Sequence, residues 1–202
     1  MTTMILRAPL GAAAVLAASL VHAAAGDAPA SAAAAATAVC AGQAKSEALV
    51  AAAVARARQA AGLNLFVTLD ESGALEAARA IDAGPKAGRC GALAGVPIVV
   101  KDNIEVAGLP STGGTPALKG YVPRADAPVV ARLRAAGAIV LGKTNMHELA
   151  FGISGFNPAY NTGAEPGVRN AYDPSRAAGG SSAGNAAAIG ARVVFAGLGT
   201  DT

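Results

Sequence analysis

Three short segments of this 202-residue chain carry side chains able to do chemistry together. Lys101-Asp102-Asn103 follows an apolar run, Gly179-Gly180-Ser181-Ser182-Ala183-Gly184 supplies paired hydroxyls among glycines, and Gly199-Thr200-Asp201-Thr202 closes the sequence. A lysine is ordinarily a solvated surface residue, and its amine has a pKa of about 10.4, so service as a base near neutral pH needs a shift of ~3 units, or about 4 kcal/mol. Desolvation at the end of an apolar strand can supply that shift. A lysine so tuned, with a serine pair downstream, could take a proton from a nearby hydroxyl and so act as a general base.

Competing readings of the same residues are weaker. Gly180-Ser181-Ser182-Ala183-Gly184 fits the Gly-x-Ser-x-Gly elbow, which would make Ser182 a nucleophile. That elbow must follow a strand directly, whereas Asn170–Arg176 upstream is loop-forming and no acid and histidine follow. Gly179–Ser182 can also cap a helix, with serine at the N-cap, which is compatible with a catalytic role. Gly137–Thr144 satisfies the phosphate-loop pattern, but the residues between its glycines, Ala-Ile-Val-Leu, read as a buried strand rather than an exposed loop. His147-Glu148 begins a zinc-protease pattern without the second histidine four residues on, so no metal site is expected.

The elements that must position these residues alternate. Ser46 onward is helical, with Leu49, Val50, Ala53, Val54 and Ala57 at three- and four-residue spacing, and Gly62 ends it. Leu65–Leu69 reads as extended, Glu71–Ala80 as helix, with Gly84-Pro85 as its breaker. Gly95–Val100 is a β-branched strand that delivers Lys101 and Asp102. Asp126 is expected to cap a helix running to Gly137, followed by a strand over Ala138–Leu141. Thr144-Asn145 can cap another helix, with Glu148 in a capping-box relation to Asn145. Ser182–Ala191 reads as helix and Val193–Ala196 as strand. The fold class is therefore α/β, a parallel or mostly parallel sheet covered by helices on both faces. In such sheets ligands gather at the carboxyl ends of the strands, where Lys101, Lys143 and Thr200-Asp201 fall.

The chain's composition, 53% apolar but 3% aromatic, favours close packing of small side chains over large aromatic anchors. A net charge of +3 from 16 basic and 13 acidic residues, without a basic run, speaks against nucleic-acid binding. Arg7, the apolar run Leu10–Val21 and small residues around Ala23 and Ala25 have the layout of a secretory signal peptide over residues 1–25. That run is shorter than the ~20 apolar residues of a spanning helix. Export to the periplasm or medium is expected, with no membrane association once the leader is removed. Residues 26–44 read as a low-complexity linker that does not pack, with folding starting near Cys40–Lys45. Cys40 and Cys90 have no metal-ligand spacing. An oxidising compartment would permit a bridge between them, and their sequence leaves bridged and free forms open.

Taken together, Gly95–Asn103, Gly142–Gly152 and Gly179–Thr202 resemble the amidase signature family of serine hydrolases, and the resemblance covers residues 45–202 as the amino-terminal part of that domain. Thr144–Gly152 and Arg169–Arg176 are worded most like bacterial indoleacetamide and mandelamide hydrolases. The resemblance implies that Lys101 is the base and Ser181 a bridging serine on a cis peptide. Thr202 would offer the first backbone N–H of the oxyanion hole. Gly180 and Ser182 would border the oxyanion and substrate site, and Ala150 the acyl pocket, with Asp102, Asn103 and Asp201 as structural support. The family's acylated serine follows Gly-Thr-Asp-Thr within Gly-Gly-Ser, shortly past Thr202. The implied activity is hydrolysis of a small carboxamide to an acid and ammonia or an amine, without cofactor or metal, and the 202 residues alone are expected to be inactive. A homodimer stays open. The alternatives are a catalytically dead remnant that binds carboxamides or a partner, and a protein like the A component of the amidotransferase that forms amidated transfer RNA. Ala183 and Asn185 depart from the family's usual residues without touching a proton-transfer atom.

Overall fold

The computed structural model describes residues 29–84, 90–160 and 167–201. The leader expected over residues 1–25 and the oxyanion donor expected at Thr202 lie outside the described residues. No helix among the described residues is long and apolar enough to cross a membrane.

Two strands that are buried at every position form the centre of the molecule: β2 (Pro97–Lys101) and β3 (Ile139–Thr144). Such continuous apolar runs suit a strand covered on both faces. β2 and β3 pair in parallel, β4 (Ala196–Leu198) adds in parallel on the far side of β2, and β1 (Phe66–Leu69) lies antiparallel to β3, giving the order β1-β3-β2-β4. The mostly parallel sheet expected from the sequence is present, with β1 as its antiparallel edge. The β2–β3 register slips by one residue: Ile98 faces Val140, but Val99 faces Gly142, so Leu141 is an extra residue on β3. This is a β-bulge. Gly142 is required there, because a Cβ at this position would sit 2.3 Å from the Thr68 carbonyl oxygen.

Helices cover both faces. α2 (Ser46–Gln59), α3 (Glu71–Ala83) and α5 (Ala183–Gly190) pack Val50, Ala53, Ala74, Ala78 and Ala187 against Val99, Ile139 and Leu141. α1 (Ala32–Cys40) and α4 (Pro128–Ala135) pack Ala35, Ala36 and Val130 against Ile98, Val100 and Val140. Alternation along β2 separates the two cores, with Val99 in the first and Ile98 and Val100 in the second.

Several expectations are corrected. Residues 32–40, assigned to a non-packing linker, form α1: the Ser31 hydroxyl accepts from the Ala34 N–H at 3.2 Å, and Ala35, Ala36 and Val39 are buried. Alanine is the best helix former, and its small side chain allows close seating on the sheet. A Cys40–Cys90 disulfide, with Cα atoms 5.7 Å apart, ties α1 to the segment leading into β2. Asp126 does not cap α4, whose N-cap is Ala127 with Pro128 at the first helical position. Its carboxylate instead accepts from the Ala107 N–H at 2.8 Å and pairs with Arg134.

The helix expected to be capped at Thr144-Asn145 does not form. β3 runs through Thr144, and Asn145 uses its amide on the carbonyls of Asn64 and Tyr160 and on the Met146 N–H, leaving only a 3-10 turn at Glu148–Ala150. Val193 and Val194 are buried in the irregular segment after the turn at 191–192, and the strand begins at Ala196, because burial alone does not dictate extended backbone. α2 stops at Gln59, and Gly62 belongs to a following 3-10 turn.

Candidate active site

Lys101 is the last residue of β2 and its side chain is fully buried. Its Nζ donates to Ser181 Oγ and to Thr200 Oγ1, each at 2.7 Å. Ser181 reaches this point from the loop before α5, where the Gly180-Ser181 peptide is cis and the Ser181 carbonyl accepts from the His147 N–H at 3.1 Å. Thr200 arrives from the carboxyl end of β4, so the three groups meet where neighbouring parallel strands end. Burial pushes the Lys101 amine below its ordinary pKa, and the charge of Asp201 partly opposes that. The direction is the one a general base requires.

The remaining expected residues separate into two groups. Ala150, Gly180, Ser181, Ser182 and Asp201 line one open cavity of about 620 Å³, which also takes in Phe151, Ile153 and Thr200. Ser182 occupies the N-cap position of α5, but its hydroxyl donates to the Thr200 carbonyl at 3.1 Å and accepts from the Thr200 N–H at 3.3 Å. It therefore holds the strand end rather than capping the helix. Residues 179–182 arrive from a loop and not from a strand, so the nucleophile-elbow geometry is absent. Asn103 donates to Thr200 Oγ1 at 3.2 Å, supporting Lys101's second partner.

Asp102 turns away from the cavity. It is fully buried, and its Oδ2 accepts from the Thr112 N–H at 3.0 Å, the Thr112 hydroxyl and the Gly114 N–H at 3.2 Å, while Lys143 Nζ stands 3.5 Å from Oδ1. Lys143, expected with Lys101 at the ligand end of the sheet, thus lies behind it.

Sequence reasoning missed the Thr200 hydroxyl as a partner of the amine, although it singled out the Thr200-Asp201 segment. Phe151 and Ile153, both 86% exposed at the cavity, were missed as well, since single apolar residues in a loop carry no periodic signal. The corner before them is fixed by Leu149 and Ala150, both in left-handed backbone with φ of 54° and 57°. The His147 ring packs against Gly152 and meets Ser154, Nδ1 to Oγ at 3.4 Å, and no group of three or more potential metal ligands occurs among the described residues.

A buried lysine on a strand end, a serine on a cis peptide and a threonine from the next strand thus share one hydrogen-bonded cluster beside the cavity. Residues 48–202 match the sequence profile of the Amidase family. A mandelamide hydrolase of Pseudomonas putida is 51% identical over 158 residues, which are 78% of this chain and 31% of that protein. The A component of a glutamyl-tRNA(Gln) amidotransferase from Acidothermus cellulolyticus is 47% identical over 69% of this chain and 27% of its own length. Among solved structures, the native peptide amidase of Stenotrophomonas maltophilia superposes with a TM-score of 0.73 at 36% identity, over 83% of this chain and 35% of that one. The chain belongs to the amidase family, and it spans about a third of the length of these relatives.

Proposed function

We propose that these residues form the base-bearing part of an amidase that hydrolyses a small carboxamide to a carboxylic acid and ammonia or an amine through an acyl-enzyme. The observation that carries this reading is the 2.7 Å contact between Lys101 Nζ and Ser181 Oγ at the carboxyl end of β2. With the amine neutral, the same contact runs the other way, and Lys101 accepts the Ser181 proton. Ser181 in turn takes the proton of the attacking serine, which the family resemblance places shortly past Thr202. That serine adds to the amide carbon. Collapse of the tetrahedral intermediate breaks the C–N bond while the proton returns through Ser181 to the leaving nitrogen. Water then repeats the sequence to free the acid.

Mandelamide hydrolase among the relatives favours a small arylacetamide-type substrate, and Phe151 and Ile153 beside Ala150 offer an apolar wall for such a ring. Export to the periplasm or medium is part of the same proposal. It is supported by the leader-like layout around Arg7 and Leu10–Val21 and by a disulfide, a bond that persists in oxidising compartments. An amidotransferase component working in the cytoplasm would need neither.

The test is hydrolysis of mandelamide and phenylacetamide by the protein expressed with its natural downstream sequence. Lys101→Met and Ser181→Ala should each lower kcat/KM by a factor on the order of ten thousand, because members of a relay act as one unit. A Lys101→Met enzyme that kept most of its activity would sink the proposal.

A further inference from the structure

Behind the catalytic lysine lies a second buried lysine that the relay does not use. Lys143 is fully buried, and its Nζ donates to Ser111 Oγ at 2.6 Å, to the Pro110 carbonyl at 3.1 Å and to the Asp102 carbonyl at 3.4 Å, with Asp102 Oδ1 at 3.5 Å. That Oδ1 accepts no hydrogen bond among the described residues, and Lys143 is the charge that faces it. A buried ion pair is a poor source of stability compared with apolar packing, and breaking one by removing a single partner leaves an uncompensated charge. Its presence one residue from Lys101 invites a reading in terms of the site.

The bulge on β3 is what sends Lys143 there. In a regular parallel pair Leu141 would face Val99 and Lys143 would face Lys101. The extra residue instead puts Lys143 opposite Val100, on the face of the second core, and leaves Thr144 opposite Lys101. Bulges commonly re-aim a side chain beside an active site.

From Asp102 the contacts spread to the pocket. The carboxylate gathers the Thr112 and Gly114 N–H groups, the Gly113 carbonyl accepts from the Leu149 N–H at 2.8 Å, and the Gly114 carbonyl accepts from Asn157 Nδ2 at 3.0 Å. Leu149 leads into Ala150 at the cavity wall. The Asp102 N–H itself donates to the Thr144 carbonyl at 3.2 Å, fixing the chain at the point where Lys101 leaves the sheet.

We propose that Lys143 is a positioning residue: with Asp102 it forms a buried clamp that holds the strand end carrying Lys101 and, through residues 110–114, the Leu149–Ala150 corner of the same cavity. The proposal rests on Lys101 being the base. The clamp also keeps a carboxylate charge next to the base compensated. The titratable groups around Lys101 are Asp201 beyond β4, and Asp102 and Lys143 behind β2, with Glu105 facing Lys143. Loss of Lys143 would leave Asp102 free to stabilise a protonated Lys101 and would let the strand end move.

The experiment uses the protein with its natural downstream sequence and compares wild type, Lys143→Met, Asp102→Asn/Lys143→Met and the core variant Val50→Ala, which weakens the fold away from the site. Two readings are taken. One is kcat and KM on mandelamide. The other is the pH profile of Lys101 acetylation by acetic anhydride, followed by mass spectrometry, which needs no turnover. Lys143→Met should shift the Lys101 labelling profile to higher pH and lower kcat by on the order of tenfold to a hundredfold, as expected for a misplaced catalytic group. KM should rise as well, through the Leu149–Ala150 corner. The double variant, in which the unpaired charge is gone, should show a smaller shift but still reduced kcat. Val50→Ala should leave the labelling profile unchanged.

A Lys143→Met protein with wild-type labelling and wild-type kcat would overturn the clamp. If Lys143→Met fails to fold, the double variant decides, and wild-type labelling and kcat in it have the same meaning. An inactive wild type whose Lys101 labelling still responds to Lys143 would refute the amidase reading and leave the clamp standing.

Discussion

Removing the Cys40–Cys90 bridge, as Cys40→Ser/Cys90→Ser, should cost a large share of the protein's stability. The bridge closes a loop with a sequence separation of 50, which contains α2, β1 and α3. In the chain-entropy description a closed loop of this size restricts the unfolded chain by about 4 kcal/mol. The folded side adds little, because α1 buries mainly Ala35, Ala36 and Val39, and alanine removes little apolar area from water. Domains commonly have only about 5–15 kcal/mol in total. Equilibrium urea unfolding, followed by far-UV circular dichroism, reads the effect directly. With a denaturant slope of about 2 kcal/mol/M, the midpoint should fall by about 2 M. Mild reduction of the wild type should reproduce the shift, and hydrogen exchange should show α1 losing protection first, since the bridge is the covalent tie at its Cys40 end. An unchanged midpoint in the serine variant, with wild-type protein shown to be fully oxidised, would refute the reasoning.

Other perturbations test the site and its supports. Gly184→Ala places a Cβ 2.5 Å from the carbonyl oxygens of Asn145 and Leu65, where α5 meets the sheet, and should lower stability by about 1–3 kcal/mol in a thermal melt; a neutral effect would mean that α5 can back away freely. Asp201→Asn should move the rising limb of the kcat/KM profile, where the base loses its proton, to lower pH. The Asp201 charge opposes the depression of the Lys101 pKa, so its removal lets the amine deprotonate more readily. A limb displaced upward would contradict this. His147→Ala should stay close to wild type in turnover, since only the backbone N–H of His147 meets Ser181, and a chelator should leave the rate unchanged; loss of activity in either case would point to chemistry outside the Lys101 relay.

The core of the site was legible because it depends on short local facts. A β-branched run ending in Lys101, and serines among glycines before a helix, identify strand end and loop without knowledge of partners. What escaped depends on contacts between distant segments. Asn145 looks like a helix cap until its amide is seen holding Asn64 and Tyr160, and Asp126 looks like one until Ala107 takes its carboxylate. The alanine-rich stretch before Cys40 reads as filler because alanine carries no periodic signal, yet its small side chains let α1 lie close on Val96 and Val100. The direction of β1 was equally invisible, since a short edge strand pairs with β3 in either sense by composition alone. Lys143 was placed at the carboxyl end of the sheet, but the face it takes was not legible, because the sequence does not reveal the extra residue on β3.

That extra residue makes strand arithmetic part of the chemistry. Deleting Leu141 would restore simple alternation between β2 and β3 and turn Lys143 toward Lys101, so that two amines would compete for one serine and each would repel the other's proton. None of the residues around the cavity would have changed identity. A catalogue of point substitutions at the site would therefore pass over a determinant that is a matter of counting, and comparison of related chains should treat a one-residue gap in this buried strand as a change of function rather than of length.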